Sequence, residues 1–118
     1  MTPWTTIERR LKAAAEADFV VALYNPVSQR RKLGLARARE ILLSARGPQT
    51  PVVVGRNLGR AGESLQVITL ETLDAENLDM LSVVLIGASS TRRLARPGGG
   101  DWVYTPRGYG DKPVREAL

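Results

Sequence analysis

Histidine and cysteine, the side chains most often used as nucleophiles, bases and transition-metal ligands, are absent from the sequence. Without them the chain cannot form a Ser-His-Asp triad, a cysteine nucleophile or a metal site ligated by imidazole or thiolate. Any chemistry must therefore rest on carboxylates, hydroxyls or lysine, or on a cofactor that brings its own reactivity while the protein positions the reactants. We expect no metal site, and the sequence assigns no catalytic residue.

Arginine is the functional side chain that the sequence supplies in quantity, and the formal net charge is +5. Guanidinium groups bind carboxylates and phosphates through paired hydrogen bonds, so arginines placed in loops favour a polyanionic ligand over ordinary surface charge. Aromatic residues make up only 5% of the chain, which favours a carboxylate-rich small molecule over nucleic acid. The basic residues that fall in or beside predicted connections are Arg30, Arg31, Lys32, Arg56, Arg60, Arg92 and Arg93.

Arg56 and Arg60 are the strongest candidates for substrate binding because they flank the glycine loop that follows a predicted buried strand. Gly55 and Gly59 would allow the backbone to approach a ligand closely, although glycines at such a position also serve simple turns. The alternative for either arginine is an ion pair with Glu63 or Glu71 that fixes the loop.

Length and composition indicate one globular domain. A chain of 118 residues with 43% hydrophobic and 25% charged residues can bury a single core. No apolar run approaches the ~18–20 residues that cross a bilayer. The first residues lack the basic-then-apolar pattern of a signal peptide, so we expect a cytoplasmic protein that does not associate with membranes.

Hydrophobic periodicity predicts elements in the order α-β-α-β-β-(α)-β-β. A capping box at Thr5–Glu8 begins the first helix, which ends near Asp18, and the strand after it reads as covered on both faces. We therefore expect an α/β fold in which a mixed sheet of about five strands has helices packed on it. Strands are predicted at 19–24, 51–54, 65–69, 82–87 and 102–105, helices at 28–45 and 72–80, and a loop at 92–100.

Three predicted strand ends could hold a ligand, since ligands of open α/β sheets lie beyond the carboxyl ends of the strands. They are Tyr24-Asn25-Pro26, the loop from Gly55 to Arg60, and the segment from Gly87 to Thr91. The Gly-x-x-x-Gly spacing of the second loop is not a phosphate-binding fingerprint.

Several segments in combination resemble the carboxy-terminal domain of the tetrapyrrole (class III) methylases of cobalamin synthesis, within the group that methylates a corrin precursor at C17. The resemblance spans nearly the whole chain. The segments that carry it include Tyr24-Asn25-Pro26-Val27-Ser28, Gly55-Arg56-Asn57-Leu58-Gly59-Arg60 and Tyr104-Thr105-Pro106-Arg107-Gly108-Tyr109.

This resemblance implies a two-domain enzyme, usually a homodimer, that binds S-adenosylmethionine in the cleft between its domains. The Gly-x-Gly-Asp type of loop that binds the cofactor in this family belongs to the amino-terminal domain, for which the resemblance gives no counterpart in this sequence, so we expect the isolated chain to be inactive and to bind the cofactor weakly. The resemblance also implies a tetrapyrrole substrate, whose carboxylates Arg56 and Arg60 would bind. The cofactor contacts that it implies are Tyr24, Asn25, Pro26, Asn57, Leu58, Thr105, Pro106 and Arg107.

Two other interpretations remain open at this point. One is a class III methylase that acts at a different tetrapyrrole position, or on a protein or RNA. The other is a basic, non-catalytic binding module.

Overall fold

The computed structural model of the chain describes residues 3–24, 29–74, 78 and 82–106, with only the backbone described for 29–33. None of the helices in these ranges is long and apolar enough to span a bilayer. The elements are α1 (Trp4–Glu16), β1 (Val21–Tyr24), α2 (Gln29–Leu43), β2 (Pro51–Arg56), β3 (Ser64–Thr69), β4 (Ser82–Ile86), β5 (Arg92–Ala95) and β6 (Asp101–Tyr104).

Within the described residues the main sheet has four strands in the order β1-β4-β2-β3, and every pairing in it is antiparallel. β5 and β6 form a separate two-stranded hairpin. The predicted α/β class with helices on a sheet is confirmed, but the expectation of a mixed, five-stranded sheet is wrong. β4 lies between β1 and β2 and runs in the opposite direction to both. β1 and β2 are therefore parallel to each other but do not pair.

Both helices pack on one face of the sheet, and the hydrophobic core lies between them and that face. The strand residues that point into the core alternate with residues that point to the other, open face. The buried core comprises Leu11, Ala15, Leu35, Ala38, Ile41 and Leu42 from the helices, Val52, Val54, Val84 and Ile86 from the strands, and Leu70 and Leu73 from the segment after β3.

β1 differs from its prediction because the helices cover only one face. Val21 and Leu23 are half-buried against the core, whereas Ala22 and Tyr24 are exposed on the open face. The apolar run therefore marks a strand at the edge of the sheet that is covered on one side only.

Gly34 explains how α1 and α2 approach each other. A Cβ atom at this position would lie 3.0 Å from the ring of Trp4, closer than an ordinary van der Waals contact, so the glycine lets the indole pack directly against α2. The predicted capping box is wrong, because α1 begins one residue before it, at Trp4, with Pro3 as N-cap and no side-chain cap. The Pro3 carbonyl accepts hydrogen bonds from the Thr6 and Ile7 amides instead.

The β5–β6 hairpin also differs from the predicted elements. Residues 92–95, expected to be part of a loop, form β5 and pair with β6. The turn between them contains Gly98, Gly99 and Gly100, all with positive φ, and is closed by a hydrogen bond from Arg96 N to Gly100 O. The helix predicted at 72–80 is a turn at Thr72 and irregular at 73–74, and most of its remainder lies outside the described residues.

Candidate functional site at the carboxyl edge of β1 and β2

The carboxyl ends of β1 and β2 lie at the same edge of the sheet. Tyr24 of β1 and Gly55 of β2 both pair with Val83, which belongs to the intervening strand. Two strand spacings separate β1 from β2, a distance of about 10 Å. The structure therefore brings together Tyr24 and the loop that begins at Asn57, two of the three segments implied by the resemblance.

One residue from each strand forms a row across the open face at this edge. The pairings Tyr24–Val83, Val83–Gly55 and Gly55–Leu65 place these residues side by side, and we call them the apolar row. Tyr24 is 67% exposed and Leu65 is 69% exposed, although both lie on a sheet with a well-packed opposite face. Exposed apolar surface of this kind is typical of a binding site.

Leu58 belongs to the loop after β2, and its side chain lies on the apolar row at Gly55. A Cβ atom at Gly55 would lie 3.1 Å from both methyl carbons of Leu58, so the glycine is what allows this leucine to lie against the strand. Leu58 itself is 46% exposed and so keeps surface available to a ligand. Gly55 was expected to allow a ligand to approach the backbone closely, but the group that approaches it is the side chain of Leu58.

The loop from Asn57 to Glu63 is held by its own polar groups. Asn57 adopts a φ of 51° and donates from Nδ2 to the Gly62 carbonyl over 3.3 Å. The amide of Gly59, whose φ is 77°, donates to Glu63 Oε2 over 3.0 Å. Arg60 N donates to the Asn57 carbonyl. These bonds preorganise the loop before any ligand arrives.

The two arginines of this edge have different surroundings. Arg56 points to the helix-bearing face, where its Nη1 donates to Gln66 Oε1 over 3.2 Å. It lines a cavity of about 420 Å³ together with Gln66, Thr72 and Asp74. Arg60 lies in the exposed loop, and among the described residues its guanidinium has no hydrogen-bond or ion-pair partner. Arg60 is thus the better placed of the two to meet a ligand on the open face.

Thr105 and Pro106, implied as cofactor contacts, follow the hairpin at the opposite edge of the sheet. Thr105 Oγ1 lies 2.7 Å from Thr91 Oγ1, and Thr91 closes the turn that follows β4 by accepting a hydrogen bond from the Ala88 amide. Three residue steps of β4, from Val83 to Ile86, put this edge about 10 Å from the apolar row. The predicted contacts Asn25, Pro26 and Arg107 lie outside the described residues.

Arg46, a buried arginine that the sequence analysis did not single out, forms hydrogen bonds to several segments at this opposite edge. The side chain of Arg46 is fully buried and donates to the carbonyls of Gly87 (2.8 Å), Ala14 (3.1 Å) and Phe19. Its Nε lies 3.6 Å from Asp18 Oδ1 and makes no hydrogen bond within the described part of the chain. Burial lowers the pKa of Arg46, and the Asp18 carboxylate partly offsets this.

Asp18 extends the network to the segment after β4. Its φ is 61°, and its carboxylate accepts hydrogen bonds from the hydroxyl and the amide of Ser89. These two bonds, with a smaller contribution from Arg46, hold the pKa of Asp18 below its usual value. The network joins the end of α1, the start of β1 and the end of β4, and so holds two of the four strands from which the apolar row is built.

Comparison with known proteins shows that the chain is similar to methyltransferases of cobalamin biosynthesis. It is 47% identical over 109 residues to the precorrin-3B C(17)-methyltransferase of Sinorhizobium sp. It is 43% identical, over the same number of residues, to the probable cobalt-factor III C(17)-methyltransferase of Salmonella typhimurium. Each match covers 92% of this chain and 43% of the relative, so the chain spans less than half the length of these relatives.

A solved structure agrees with these relatives. The crystal structure of the methyltransferase CobJ matches with a TM-score of 0.76 and 36% identity, over 89% of this chain and 42% of that chain. No protein-family model matches the chain. The resemblance to C17-methyltransferases inferred from the motifs is confirmed, and so is the fold class, whereas the assignment to the carboxy-terminal domain stays a prediction.

The apolar row fits one part of S-adenosylmethionine, the adenine ring. A flat purine needs apolar surface against its ring, which the exposed side chains of Tyr24, Leu58 and Leu65 provide. The row contains no charged residue, so the ammonium and carboxylate of the methionine portion would have to be held by groups outside it.

Proposed function

We propose that this chain is the carboxy-terminal domain of an S-adenosylmethionine-dependent methyltransferase that acts at C17 of a tetrapyrrole precursor of cobalamin, either precorrin-3B or cobalt-factor III. The observation that carries the proposal is the exposed apolar row with Leu58 above it, in a chain 47% identical to a C17-methyltransferase. The row takes the adenine ring, and a second, amino-terminal domain completes the cleft. The assembled protein is proposed to be a homodimer.

The absence of histidine and cysteine is compatible with this chemistry. S-adenosylmethionine, when bound, supplies a methyl group that is already activated by its sulfonium. The contribution of this chain is to bind and orient, which requires fixed surfaces rather than a nucleophile. The loop from Asn57 to Glu63 provides such a surface because its own hydrogen bonds determine its shape.

Arg60 is proposed to pair with a carboxylate of the substrate. Its guanidinium is exposed at the edge that carries the apolar row, and a carboxylate-rich macrocycle presents acceptors that match its N–H groups in pairs. Arg56 contributes less, since its side chain lies on the helix-bearing face beside Gln66.

The cofactor site is tested by substitution of Leu58. S-adenosylhomocysteine, the stable product analogue, would be titrated calorimetrically into the chain mixed with the part of the Sinorhizobium relative that the chain does not match. Leu58→Ala removes one face of the adenine site and should weaken binding roughly tenfold, the loss expected from ~1.4 kcal/mol of apolar contact.

Val20→Ala is the matched control. Val20 is 48% exposed, close to the 46% of Leu58, but it precedes β1 and therefore lies at the opposite edge of the sheet. It should leave the affinity unchanged. Equal affinities for the wild type and the Leu58 variant would show that the cofactor does not use the apolar row.

A further inference from the structure

One face of the β5–β6 hairpin carries aromatic and basic residues together. The pairing of Arg92 with Tyr104 and of Leu94 with Trp102 puts these four side chains on the same face. The guanidinium of Arg96, at the turn, lies 4.7 Å from the centroid of the Trp102 ring, within the range of a cation–π contact. We call Arg92, Leu94, Arg96, Trp102 and Tyr104 the hairpin face.

The apolar part of the hairpin face is open. Leu94 is 56% exposed, Trp102 is 55% exposed and Tyr104 is 49% exposed. A two-stranded hairpin is only marginally stable by itself in water, and large exposed aromatic rings on it are typical of a surface that receives a partner. At the base of the hairpin the Thr91 and Thr105 hydroxyls are hydrogen-bonded to each other, and Thr91 Oγ1 also accepts a hydrogen bond from the Ala88 amide after β4.

The charges on the two faces of the hairpin are unequal. On one face Arg93 forms an ion pair with Asp101, so positive and negative charges balance there. The hairpin face carries two arginines and no carboxylate. Arg92 Nη1 makes two long hydrogen bonds of 3.3 Å to the carbonyls of Ser89 and Thr91, which leave its remaining N–H groups available.

The spacing of the two arginines indicates the shape of the partner. They lie at the base and at the turn of the hairpin, about 13 Å apart along the strand, with the aromatic rings between them. A flat apolar ring system with anionic groups on its periphery matches this arrangement. A second copy of the chain docked face to face would instead bring like charges together.

We propose that the hairpin face docks a tetrapyrrole macrocycle with several carboxylates, the chemical class of the substrate named under the proposed function, on which this inference rests. Trp102 and Tyr104 stack against the ring, while Arg92 and Arg96 pair with carboxylates at its two sides. The hairpin begins at the edge opposite the apolar row, so this surface captures the substrate and takes no part in the transfer of the methyl group.

Uroporphyrin, a stable macrocycle with eight carboxylates, is the probe. Its Soret band would be followed as the chain is added, and we expect saturable binding. Trp102→Ala and Arg96→Gln should each weaken binding roughly tenfold or more, the usual effect of losing one stacking or charge-assisted contact. The matched control is Arg9→Gln, which removes the same charge from the exposed surface of α1 and should leave binding unchanged.

Three outcomes would overturn the proposal. Equal weakening by Arg96→Gln and Arg9→Gln would show attraction by net charge alone. Equal binding of a tetracationic porphyrin would show that the carboxylates are not recognised. Tighter, Trp102-dependent binding of a single-stranded oligonucleotide would assign the hairpin face to nucleic acid.

Failure of the inference and failure of the proposed function are separable. With the remaining part of the Sinorhizobium relative supplied, Trp102→Ala should raise KM for the tetrapyrrole and leave both kcat and the affinity for S-adenosylhomocysteine unchanged. Methyl transfer with an unchanged KM in this variant would refute the docking surface alone. Uroporphyrin binding that depends on Trp102, without methyl transfer by the wild type, would refute the proposed function and leave the surface standing as a macrocycle site.

Discussion

Replacement of Arg46 by methionine removes the side chain that joins the end of α1, the start of β1 and the end of β4. Methionine occupies much of the same volume but offers no donor, so three backbone carbonyls each lose a hydrogen bond, and of these the Ala14 carbonyl keeps the one from the Phe19 amide. Each hydrogen bond from a charged donor contributes ~1.5–3 kcal/mol, and the three are coupled because they share one guanidinium. Removal of one partner from a buried network of this kind costs about 3–5 kcal/mol.

Such a loss would be a large part of the stability of the domain, which for domains of this size is about 5–15 kcal/mol. At ~4 °C per kcal/mol, the midpoint of thermal unfolding should fall by roughly 12–20 °C. Urea unfolding followed by far-ultraviolet circular dichroism would give the free energy directly. Arg46→Lys keeps the charge but has fewer donors in a different geometry, and we expect an intermediate loss.

The control for this prediction is Arg9→Met, the same substitution at an exposed position of α1. It should change the free energy of unfolding by less than ~0.5 kcal/mol. A loss below ~1 kcal/mol in Arg46→Met would refute the view that this network holds the three segments together.

Three further predictions concern acid stability, helix packing and the substrate. The pKa of Asp18 is lowered in the folded state by the two Ser89 hydrogen bonds, so its stabilisation is present above the unfolded pKa of about 3.9 and is lost as the pH falls through the lower folded value. Asp18→Asn should therefore reduce the loss of unfolding free energy between neutral and acid pH. An unchanged dependence of stability on acid pH would contradict this assignment. Gly34→Val should destabilise the domain by about 1–3 kcal/mol in urea unfolding because the new side chain meets the Trp4 ring. Gly47→Val is the control and should cost much less, since no atom lies within 4 Å of the added Cβ. Equal losses in the two variants would argue against close packing of α1 on α2. Arg60→Gln, assayed with the remaining part of the relative present, should raise KM for the tetrapyrrole roughly tenfold and leave S-adenosylhomocysteine binding intact; an unchanged KM would exclude the proposed carboxylate contact.

The elements that local sequence patterns determine were predictable. The apolar runs at 51–54 and 82–87 correspond to β2 and β4, and the helical stripe through Leu35, Ala38 and Leu42 corresponds to the buried side of α2. β5 was missed because its sequence, Arg-Arg-Leu-Ala, has no apolar alternation, and its strand conformation comes from pairing with β6.

The geometry of the candidate site depends on contacts between segments distant in the sequence. Tyr24 and Gly55 lie in one row only because β4, almost thirty residues further on, inserts between their strands. The burial of Arg46 depends on carbonyls of three separate segments, and no local pattern distinguishes it from a surface arginine. The motifs identified the loop of Asn57 and Leu58, but the structure was needed to place Leu58 over Gly55.

The central claim, that this chain supplies one domain of a C17-methyltransferase, is tested most directly by complementation. Transfer of a radiolabelled methyl group from S-adenosylmethionine to precorrin-3B or cobalt-factor III would be measured with the chain alone, with the unmatched part of the Sinorhizobium relative alone, and with both. We predict incorporation only when both are present, and its loss in the double variant Tyr24→Ala, Leu58→Ala. Incorporation by the chain alone, or none from a stable complex of the two parts, would contradict the account.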